Sequence, residues 1–300
     1  MFRRLAILLL SSTVALLATL VQAETLKVHL VMSDSAGPYQ QFSSALGKAL
    51  ETSKANVTVI ESSSGKETGA SLVIAVGMKA MELAINKFDA PVLGVMIPRM
   101  GYEALADRYH ARYRSKPISA IYLDQSWDRQ LNFIKATLPK HKTVGILYSP
   151  DTRITLPRLP RGMSLNAQSA SAENLFDALE NILINSDVLL VVPDSEIYSS
   201  SNVRNILLTS FRRKTPLIGI SQAYVNAGAL GAIYSTPEQI ARQTVETVIS
   251  FSRDGQLPEP RYPESFDISL NLQVARSLGI VLDSPATIHE RMDKAGEGMQ

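Results

Sequence analysis

Polar and aromatic side chains that could bind a small molecule follow two apolar runs in the second half of the sequence. The runs 188–192 and 216–220 are short and rich in branched residues, which is typical of strands buried in a parallel sheet. Ligands of open α/β sheets bind beyond the carboxyl ends of such strands. Tyrosine supplies an apolar ring with a polar tip, and the other side chains supply hydrogen bonds. The candidate ligand-binding residues here are Asp194, Ser195, Tyr198, Gln222 and Tyr224.

The first half of the sequence carries a similar set of candidates after its own apolar runs. Gly77, Met78 and Lys79 open a predicted helix, where free backbone N–H groups and the helix dipole suit a carboxylate or a phosphate. Lys79 could add positive charge to such an anion site, or it could be an exposed lysine at an ordinary helix start. The further candidates in this half are Ser33, Asp34, Tyr39 and Met96.

Asp124 and Gln125 follow the fifth predicted strand, and two interpretations of Asp124 stay open. As a ligand-binding residue, Asp124 could pair with the ammonium group of an amino acid. As a structural residue, it could be the N-cap of a helix that starts at Trp127, because Asp is favoured just before a helix. Asp194 could likewise only cap a helix, and Tyr224 could only pack against a neighbouring strand.

The residue patterns that enzymatic chemistry requires are missing from the sequence. Residues 64–67 (SGKE) follow a predicted strand, but they lack the first Gly of a P-loop and carry Glu where Ser or Thr would hold the metal ion. The four His residues are scattered, and none has a helical spacing typical of metal ligands. There is no Gly-x-Ser-x-Gly elbow, and without Cys there is no thiol nucleophile. We therefore expect no enzymatic activity, no cofactor and no metal site.

The candidate residues are positioned by strands and helices that alternate along the chain. Short apolar runs predict strands, and apolar residues at a helical spacing predict helices. The predicted strands are 26–32, 57–60, 72–76, 91–97, 118–123, 143–148, 163–166, 188–192, 216–220, 229–234 and 266–269. The predicted helices are 39–53, 77–87, 127–138, 172–185, 202–213, 237–251 and 272–278, with a short helix before 118. This order predicts an α/β protein with two doubly wound, Rossmann-like lobes.

Two connections between predicted strands leave no place for a full crossover helix. The connection between Ile60 and Leu72 is too short, and the one between Tyr148 and Met163 is broken by three prolines. Each lobe is therefore predicted to have one shortened crossover. Apolar sheet surface left uncovered in this way is typical of a partner surface.

The first 23 residues have the pattern of a secretory signal peptide. Arg3 and Arg4 precede an apolar block, and Val21-Gln22-Ala23 predicts cleavage after Ala23, so we expect a periplasmic protein. A membrane anchor is the weaker interpretation, because residues 11–13 (SST) interrupt the apolar block. Removing Arg3 and Arg4 from the 30 basic residues leaves 28, against 28 acidic residues. A neutral mature chain gives no indication of binding to nucleic acid or to an anionic membrane.

Motifs distributed over residues 26–283 resemble those of periplasmic substrate-binding proteins of ABC transporters, in the family that includes tryptophan- and aromatic-amino-acid-binding members. The longest are 72–80 (LVIAVGMKA) and 144–150 (VGILYSP). Further matches are Pro91-Val92, Asp124, Leu138-Pro139, Pro193-Asp194, residues 228–231 (GALG), Arg242-Gln243, 271–275 and 278–280. Residues 97–100 and 235–238 depart from the family pattern, so the resemblance does not carry over the identity of the ligand.

The resemblance implies a type I periplasmic-binding-protein-like fold, in which two lobes joined by a hinge close over a ligand in the cleft between them. In this division the N-terminal lobe comprises 24–121 and 235–258, and the C-terminal lobe comprises 122–234 and 259–283. The polar residues 284–300 are predicted to be a flexible tail.

The function implied is that of a solute-binding protein, which captures a small organic ligand such as an amino acid and delivers it to an ABC permease. The alternative is a sensor or partner-interaction module that keeps this fold with altered or lost ligand binding, in contact with another membrane-associated partner. The shortened crossovers and the changed segment 97–100 favour this alternative. Neither function involves nucleic acid.

Overall fold

The computed structural model of the protein describes residues 25–35, 37–62, 69–110, 116–152, 154–155 and 157–297. The predicted signal peptide lies outside these residues and stays a prediction. The strands are β1 (Leu26–Met32), β2 (Val57–Glu61), β3 (Leu72–Val76), β4 (Val92–Ile97), β5 (Ile118–Tyr122), β6 (Thr143–Tyr148), β7 (Ser164–Ser169), β8 (Val188–Leu190), β9 (Leu217–Gly219), β10 (Gly231–Tyr234) and β11 (Asp267–Leu270). The helices are α1 (Gly37–Ser53), α2 (Met78–Lys87), α3 (Arg99–His110), α4 (Trp127–Thr137), α5 (Leu175–Ile184), α6 (Val203–Arg212), α7 (Gln222–Ala227), α8 (Pro237–Asp254), α9 (Leu272–Leu278) and α10 (Pro285–Glu297).

The first lobe is built on a parallel sheet with the strand order β2-β1-β3-β4-β5. Every residue of β3 and β4 is buried, which explains why these strands are continuous apolar runs. On one face of the sheet, Phe42 and Leu46 of α1 share an apolar cluster with Ile240 and Val248 of α8. The other face is covered by α2 and α3, whose apolar residues form a second cluster with β4 and β5.

The second lobe is built on a sheet with the strand order β11-β10-β9-β8-β6-β7, in which only the edge pair β10–β11 is antiparallel. Its core contains Phe133 and Ile134 of α4, Leu179 and Ile182 of α5, and Ile206 of α6. Apart from β11, the order of the strands repeats that of the first lobe: the second strand lies outside the first, and the others follow on the opposite side. The predicted fold class, two doubly wound lobes, is therefore confirmed.

The chain passes between the lobes three times. After β5 it enters α4, which packs in the second lobe, and after β10 it enters α8, which packs in the first. It then returns to β11 through residues that include Arg261, which forms an isolated bridge with Ile121 of β5. These crossings place the hinge beside β5 and β10. The exact residue boundaries of the lobes stay a prediction.

The second lobe has a coil in place of one crossover helix. Between β6 and β7 the described residues of 149–163 form turns and coil, and Ile154 and Met163 pack against the core. This coil therefore covers apolar surface of the second lobe that we predicted to be uncovered. The corresponding short connection of the first lobe, between β2 and β3, contains residues 63–68, which lie outside the described residues.

The segment expected to be a flexible tail instead forms α10 over Pro285–Glu297, and this helix packs against α4. Ile288 is fully buried and Met292 is 6% exposed. Arg291 donates a hydrogen bond to the carbonyl of Ala136 at 3.2 Å. Two apolar residues four positions apart are sufficient to anchor one face of a helix, although the segment as a whole is polar.

None of the helices in the described ranges is both long and apolar enough to span a membrane.

Candidate functional site

A cavity of about 1020 Å³ lies between the lobes, at the carboxyl ends of the strands of both sheets. The first lobe contributes residues that follow β3, β4 and β5, and the second contributes residues that follow β6, β8 and β9. This is the position in which open α/β sheets bind ligands. The residues that line it include Met78, Pro98, Met100, Leu123, Ser149, Thr152, Val192, Asp194, Ser195, Tyr198, Ile220 and Tyr224.

Two tyrosines give the second-lobe side of the cavity its aromatic character. Tyr198 is 8% exposed, and its hydroxyl has no hydrogen-bond partner among the described residues. The backbone of Leu147 lies close to this hydroxyl but outside hydrogen-bonding geometry. Burial raises the pKa of Tyr198, and it raises the pKa of Tyr224 to about 12, so both phenols are neutral at physiological pH. Gly219 allows this packing, because a Cβ there would lie 2.3 Å from the Cβ of Tyr224.

Asp194 is a buried carboxylate whose oxygens are both occupied. Its Oδ2 accepts hydrogen bonds from the backbone N–H of Ser149 at 2.6 Å and from the hydroxyl of Thr152 at 2.7 Å. Its Oδ1 accepts from the backbone N–H groups of Glu196 and Ile197, both at 3.0 Å. A carboxylate has about four lone-pair sites, so Asp194 is saturated by the protein itself.

This saturation outweighs the effect of burial on the charge of Asp194. Burial alone would raise its pKa, but the hydrogen bonds from Ile197, Ser149 and Thr152 keep the pKa below its usual value. Asp194 therefore holds the loop after β6 against the loop after β8 as an ionised carboxylate. Asp194 is therefore a structural residue, but it caps the turn that follows it rather than a helix, which was the structural interpretation that the sequence left open.

Three of the first-lobe candidates form a cluster around the start of α2. Gly77 precedes α2 with a φ of 83°, and without a side chain it cannot itself cap the helix. The hydroxyl of Ser33 accepts a hydrogen bond from the backbone N–H of Ala80 at 3.0 Å. A Cβ on Gly77 would lie 2.6 Å from the Ser33 hydroxyl and 2.7 Å from that of Tyr39, so only glycine allows this close approach. Met78 lines the interlobe cavity, whereas Ser33, Tyr39 and Gly77 do not.

Met96 lies in a bulge of β4. Its φ is 54°, an uncommon value for a residue other than glycine, and the pairing with β5 shifts register between Val95 and Ile97. Its side chain is 5% exposed and packs in the core with α1 and α8. The bulge therefore turns Met96 into the core rather than into the cavity, and the residues that follow it, Pro98 and Met100, line the cavity instead.

Asp124 lies in a small cavity of about 30 Å³ beside the cleft, which is also lined by Arg99, Glu103 and Tyr262. Its Oδ1 accepts a hydrogen bond from the backbone N–H of Arg99 at 2.8 Å, so it caps the start of α3. The alternative in which Asp124 caps α4 is wrong, because the hydroxyl of Ser126 occupies that position. Burial raises the pKa of Asp124 to about 6, although the hydrogen bond from Arg99 acts in the opposite direction.

Gln125 connects two of the crossings between the lobes. It is 5% exposed, and its amide nitrogen donates to the hydroxyl of Ser235 at 2.9 Å. Its amide oxygen accepts from Arg129 at 2.6 Å, and Arg129 also donates to the carbonyl of Pro263 at 2.7 Å. These hydrogen bonds hold the segments after β5, β10 and α8 together at the hinge.

The structure brings together some of the predicted ligand-binding residues and separates others. Those that line the interlobe cavity are Met78, Asp194, Ser195, Tyr198 and Tyr224. Asp124 and Gln125 line the smaller cavity beside it. Those that line neither cavity are Ser33, Asp34, Tyr39, Gly77, Lys79, Met96 and Gln222.

Gln222 and Tyr224 lie outside all the predicted helices, but in the structure both are on the short helix α7. Gln222 does not line the cavity, and its amide oxygen accepts a hydrogen bond from the hydroxyl of Tyr234 at 2.7 Å. Sequence reasoning missed Ser149, Thr152 and Met100, which also line the cavity. The rule that selected Asp194 would have found Ser149, which directly follows β6.

Among the described residues, no group of three or more His, Cys, Asp or Glu side chains is arranged to hold a metal ion. The cavity offers hydrogen-bonding groups, aromatic and apolar surface, and the backbone N–H groups at the start of α2.

Two α/β lobes of matching topology with a cleft at their facing strand ends define the architecture of solute-binding proteins. A family model described as "ABC transporter substrate binding protein" matches residues 115–289, which is more than half of the chain. The chain belongs to this family. A search of curated proteins gives no match.

Solved structures with this fold cover nearly the whole chain at low sequence identity. A substrate-binding protein with adhesive properties from Clostridium difficile, CD0873, in its ligand-free open form, has a TM-score of 0.65 and 18% identity over 86% of this chain and 96% of its own. A conserved domain protein from Vibrio cholerae has a TM-score of 0.61 and 18% identity over 89% and 98%. An ABC domain from Streptococcus pneumonia in complex with L-Trp has a TM-score of 0.58 and 15% identity over 88% and 98%.

Proposed function

We propose that the protein captures a small organic ligand, an amino acid or a related compound, between its lobes and delivers it to an ABC permease. The observation that carries this proposal is the cavity of about 1020 Å³ at the strand ends of both lobes. A ligand in this position contacts both lobes at once, so its binding energy favours the closed arrangement. Membership of the substrate-binding family supports the same function.

The lining of the cleft supports a ligand with both apolar and polar parts. Tyr198, Tyr224 and Ile220 provide apolar and aromatic surface on the second lobe. On the first lobe, the start of α2 at Met78 presents backbone N–H groups that suit a carboxylate. Asp124, in the small cavity beside the cleft, would provide a carboxylate for an ammonium group that reaches into it, and its Oδ1 already accepts a hydrogen bond from Arg99. The L-Trp bound in the Streptococcus structure is a compound of this kind.

We also propose that the chain is exported to the periplasm by the predicted signal peptide and cleaved after Ala23. A basic start, an apolar block and a Val-x-Ala site support this proposal. Export would place the protein on the side of the membrane where a substrate-binding protein meets its permease.

A thermal-shift screen of the exported protein against amino acids, peptides, nucleosides and organic acids tests the proposed function. A specific ligand at a hundredfold its dissociation constant stabilises the folded state by about 2.7 kcal/mol. For a chain of this size we expect the melting temperature to rise by roughly 5 °C or more. The variant for comparison is Tyr224→Ala, in which the same ligand should raise the melting temperature by less than in the unmodified protein. A flat response across the panel would favour the alternative, a sensor or partner module.

A further inference from the structure

The end of the second lobe that faces away from the cleft combines exposed basic and exposed apolar side chains. We call it the basal pole, and it comprises Lys140, Lys142, Ile184, Phe211, Arg212 and Lys214, all of which are exposed. Ile184 is 66% exposed and Phe211 is 41% exposed. Large apolar side chains are thus exposed close to several cations, at an end of the lobe that takes no part in the cleft.

The three chain segments that form the basal pole are neighbours in space. They precede β6, β8 and β9, which are adjacent in the sheet and begin at the same end. The backbone N–H of Lys142 donates to Asp187 at 2.8 Å, which joins the first segment to the second. The hydroxyl of Thr215 donates to the carbonyl of Leu183 at 3.3 Å, which joins the second segment to the third. Residues far apart in sequence therefore form one surface.

The positive charge of this surface exceeds the negative charge of its acidic neighbours: Lys140, Lys142, Arg212, Arg213 and Lys214 carry five positive charges, and Asp187 and Glu180 carry two negative charges. Asp187 accepts backbone hydrogen bonds from Lys142 and Thr143, and Glu180 pairs with Arg213 at 2.5 Å. The chain as a whole is close to neutral, with 30 basic and 28 acidic residues, so the basal pole is a local concentration of cations.

We propose that the basal pole docks the protein on the surface of an anionic lipid membrane. Lys and Arg side chains are attracted to lipid phosphate groups, and exposed Phe and Ile side chains insert at the boundary between headgroups and acyl chains. Neither the basic nor the apolar side chains would bind a membrane strongly alone, but their combination is typical of reversible peripheral binding. The cleft lies at the opposite end of the strands, so this docking leaves it accessible to ligand.

Vesicle co-sedimentation of the exported protein, without residues 1–23, tests this proposal. We expect binding to vesicles that contain phosphatidylglycerol, at least about tenfold weaker binding to pure phosphatidylcholine, and loss of binding at about 0.5 M salt. Replacing Lys140, Lys142 and Arg212 by Glu should weaken binding by about a hundredfold or more, since each cation near the surface contributes about fivefold. The matched control replaces Lys48, Lys87 and Arg253 by Glu, which makes the same change of charge on exposed helix positions of the first lobe.

The apolar contribution has its own matched pair of variants. Phe211→Ser should weaken vesicle binding severalfold, whereas Phe176→Ser, which changes a phenylalanine of similar exposure (48%) on α5, should not. Absence of binding to anionic vesicles, or equal binding by the basal-pole and control charge variants, would overturn the proposal. Self-association of the protein that Phe211→Ser abolishes would also overturn it, because a second copy would then occupy this surface. Since the cleft does not take part, these results are independent of the ligand screen.

Discussion

Asp124 and Asp194 occupy comparable places in the two regions that meet at the cleft, yet their surroundings make them opposites. Both follow parallel strands, β5 and β8. Asp194 accepts hydrogen bonds from four donors, which lower its pKa. For Asp124 the engaged oxygen is Oδ1, which accepts from Arg99 at 2.8 Å, and burial raises its pKa to about 6. The number of donors around a carboxylate, rather than its position after a strand, decides whether it is available to a ligand.

The segments that contain the two aspartates also differ in what they hold together. Asp194 joins the loops after β6 and β8 within the second lobe, so hydrogen bonds of the protein itself hold this part of the cleft in place. Asp124 lies beside the hinge, where Gln125 connects the crossings through Ser235 and Arg129. A ligand group that pairs with Asp124 would therefore contact the segment that the proposed closure of the lobes would move.

Among the variants that test this contrast between the two aspartates, Asp194→Ala is expected to have the largest effect on stability. The change leaves the buried N–H groups of Ser149 and Ile197 without their acceptor, and we expect the free energy of unfolding to fall by about 4 kcal/mol. Urea denaturation of the ligand-free protein measures this loss. The control is Asp151→Ala, at an exposed aspartate that also lines the cavity, which should change stability by less than about 0.5 kcal/mol. Equal stability of the two variants would show that Asp194 is not a structural carboxylate.

The pH dependence of stability distinguishes the two aspartates in sign. A carboxyl whose folded pKa is raised binds more protons in the folded state, so its contribution is present at low pH and is lost as pH rises through the folded pKa, about 6 for Asp124. The lowered pKa of Asp194 has the opposite consequence, because its contribution is present above the unfolded pKa and is lost as pH falls through the folded one.

Asp124→Asn tests this sign directly. The amide keeps an acceptor for the backbone N–H of Arg99 but cannot ionise. As the pH rises from 4 to 7, we expect the free energy of unfolding of the variant to increase by about 2 kcal/mol relative to that of the unmodified protein. This is less than the whole shift of the Asp124 pKa would give, because the carboxyl keeps some contact with solvent. Urea denaturation at several pH values measures the difference. A stability difference that is constant with pH would mean that burial does not raise the pKa of Asp124.

The fold was largely predictable because it depends on patterns within single segments. Branched apolar runs such as 72–76 become central strands wherever both faces are covered, and the coil between β6 and β7 follows from its prolines. Helix α10 escaped prediction because Ile288 and Met292 are its only buried anchors among the described side chains, in an otherwise polar segment. In a sequence, an amphipathic helix with only two apolar anchors is hard to distinguish from a polar tail.

The site was less predictable because it depends on directions of side chains and on contacts between distant segments. The bulge at Met96 turns this side chain into the core, and no sequence pattern announces a positive φ at a methionine. The saturation of Asp194 requires Ser149 and Thr152, which lie more than forty positions away. The basal pole likewise combines three segments that are distant in sequence. Because the overall charge of the chain is close to neutral, the net charge does not reveal this local cluster of cations.

The smallest expected effect concerns Tyr198, which lies in the same loop as Asp194 but has the opposite hydrogen-bonding state. Its hydroxyl is buried without a partner among the described residues, and burial of an unpaired polar group is costly. Tyr198→Phe removes this hydroxyl and keeps the ring. We therefore expect the ligand-free protein to become about 1 kcal/mol more stable in urea denaturation.

Tyr224→Phe is the control for this last comparison, because Tyr224 is only half-buried and its hydroxyl is not among the unpaired buried groups of the described residues. Its stability should change by less than about 0.5 kcal/mol. A loss of stability in Tyr198→Phe would show that the hydroxyl is bonded within the protein, with the backbone of Leu147 as the neighbour already in place. A gain would show that the loop holds one polar group saturated by the protein beside another that the ligand-free protein leaves without a hydrogen bond. The contrast between Asp124 and Asp194 would then extend to individual side chains within a single loop of the second lobe.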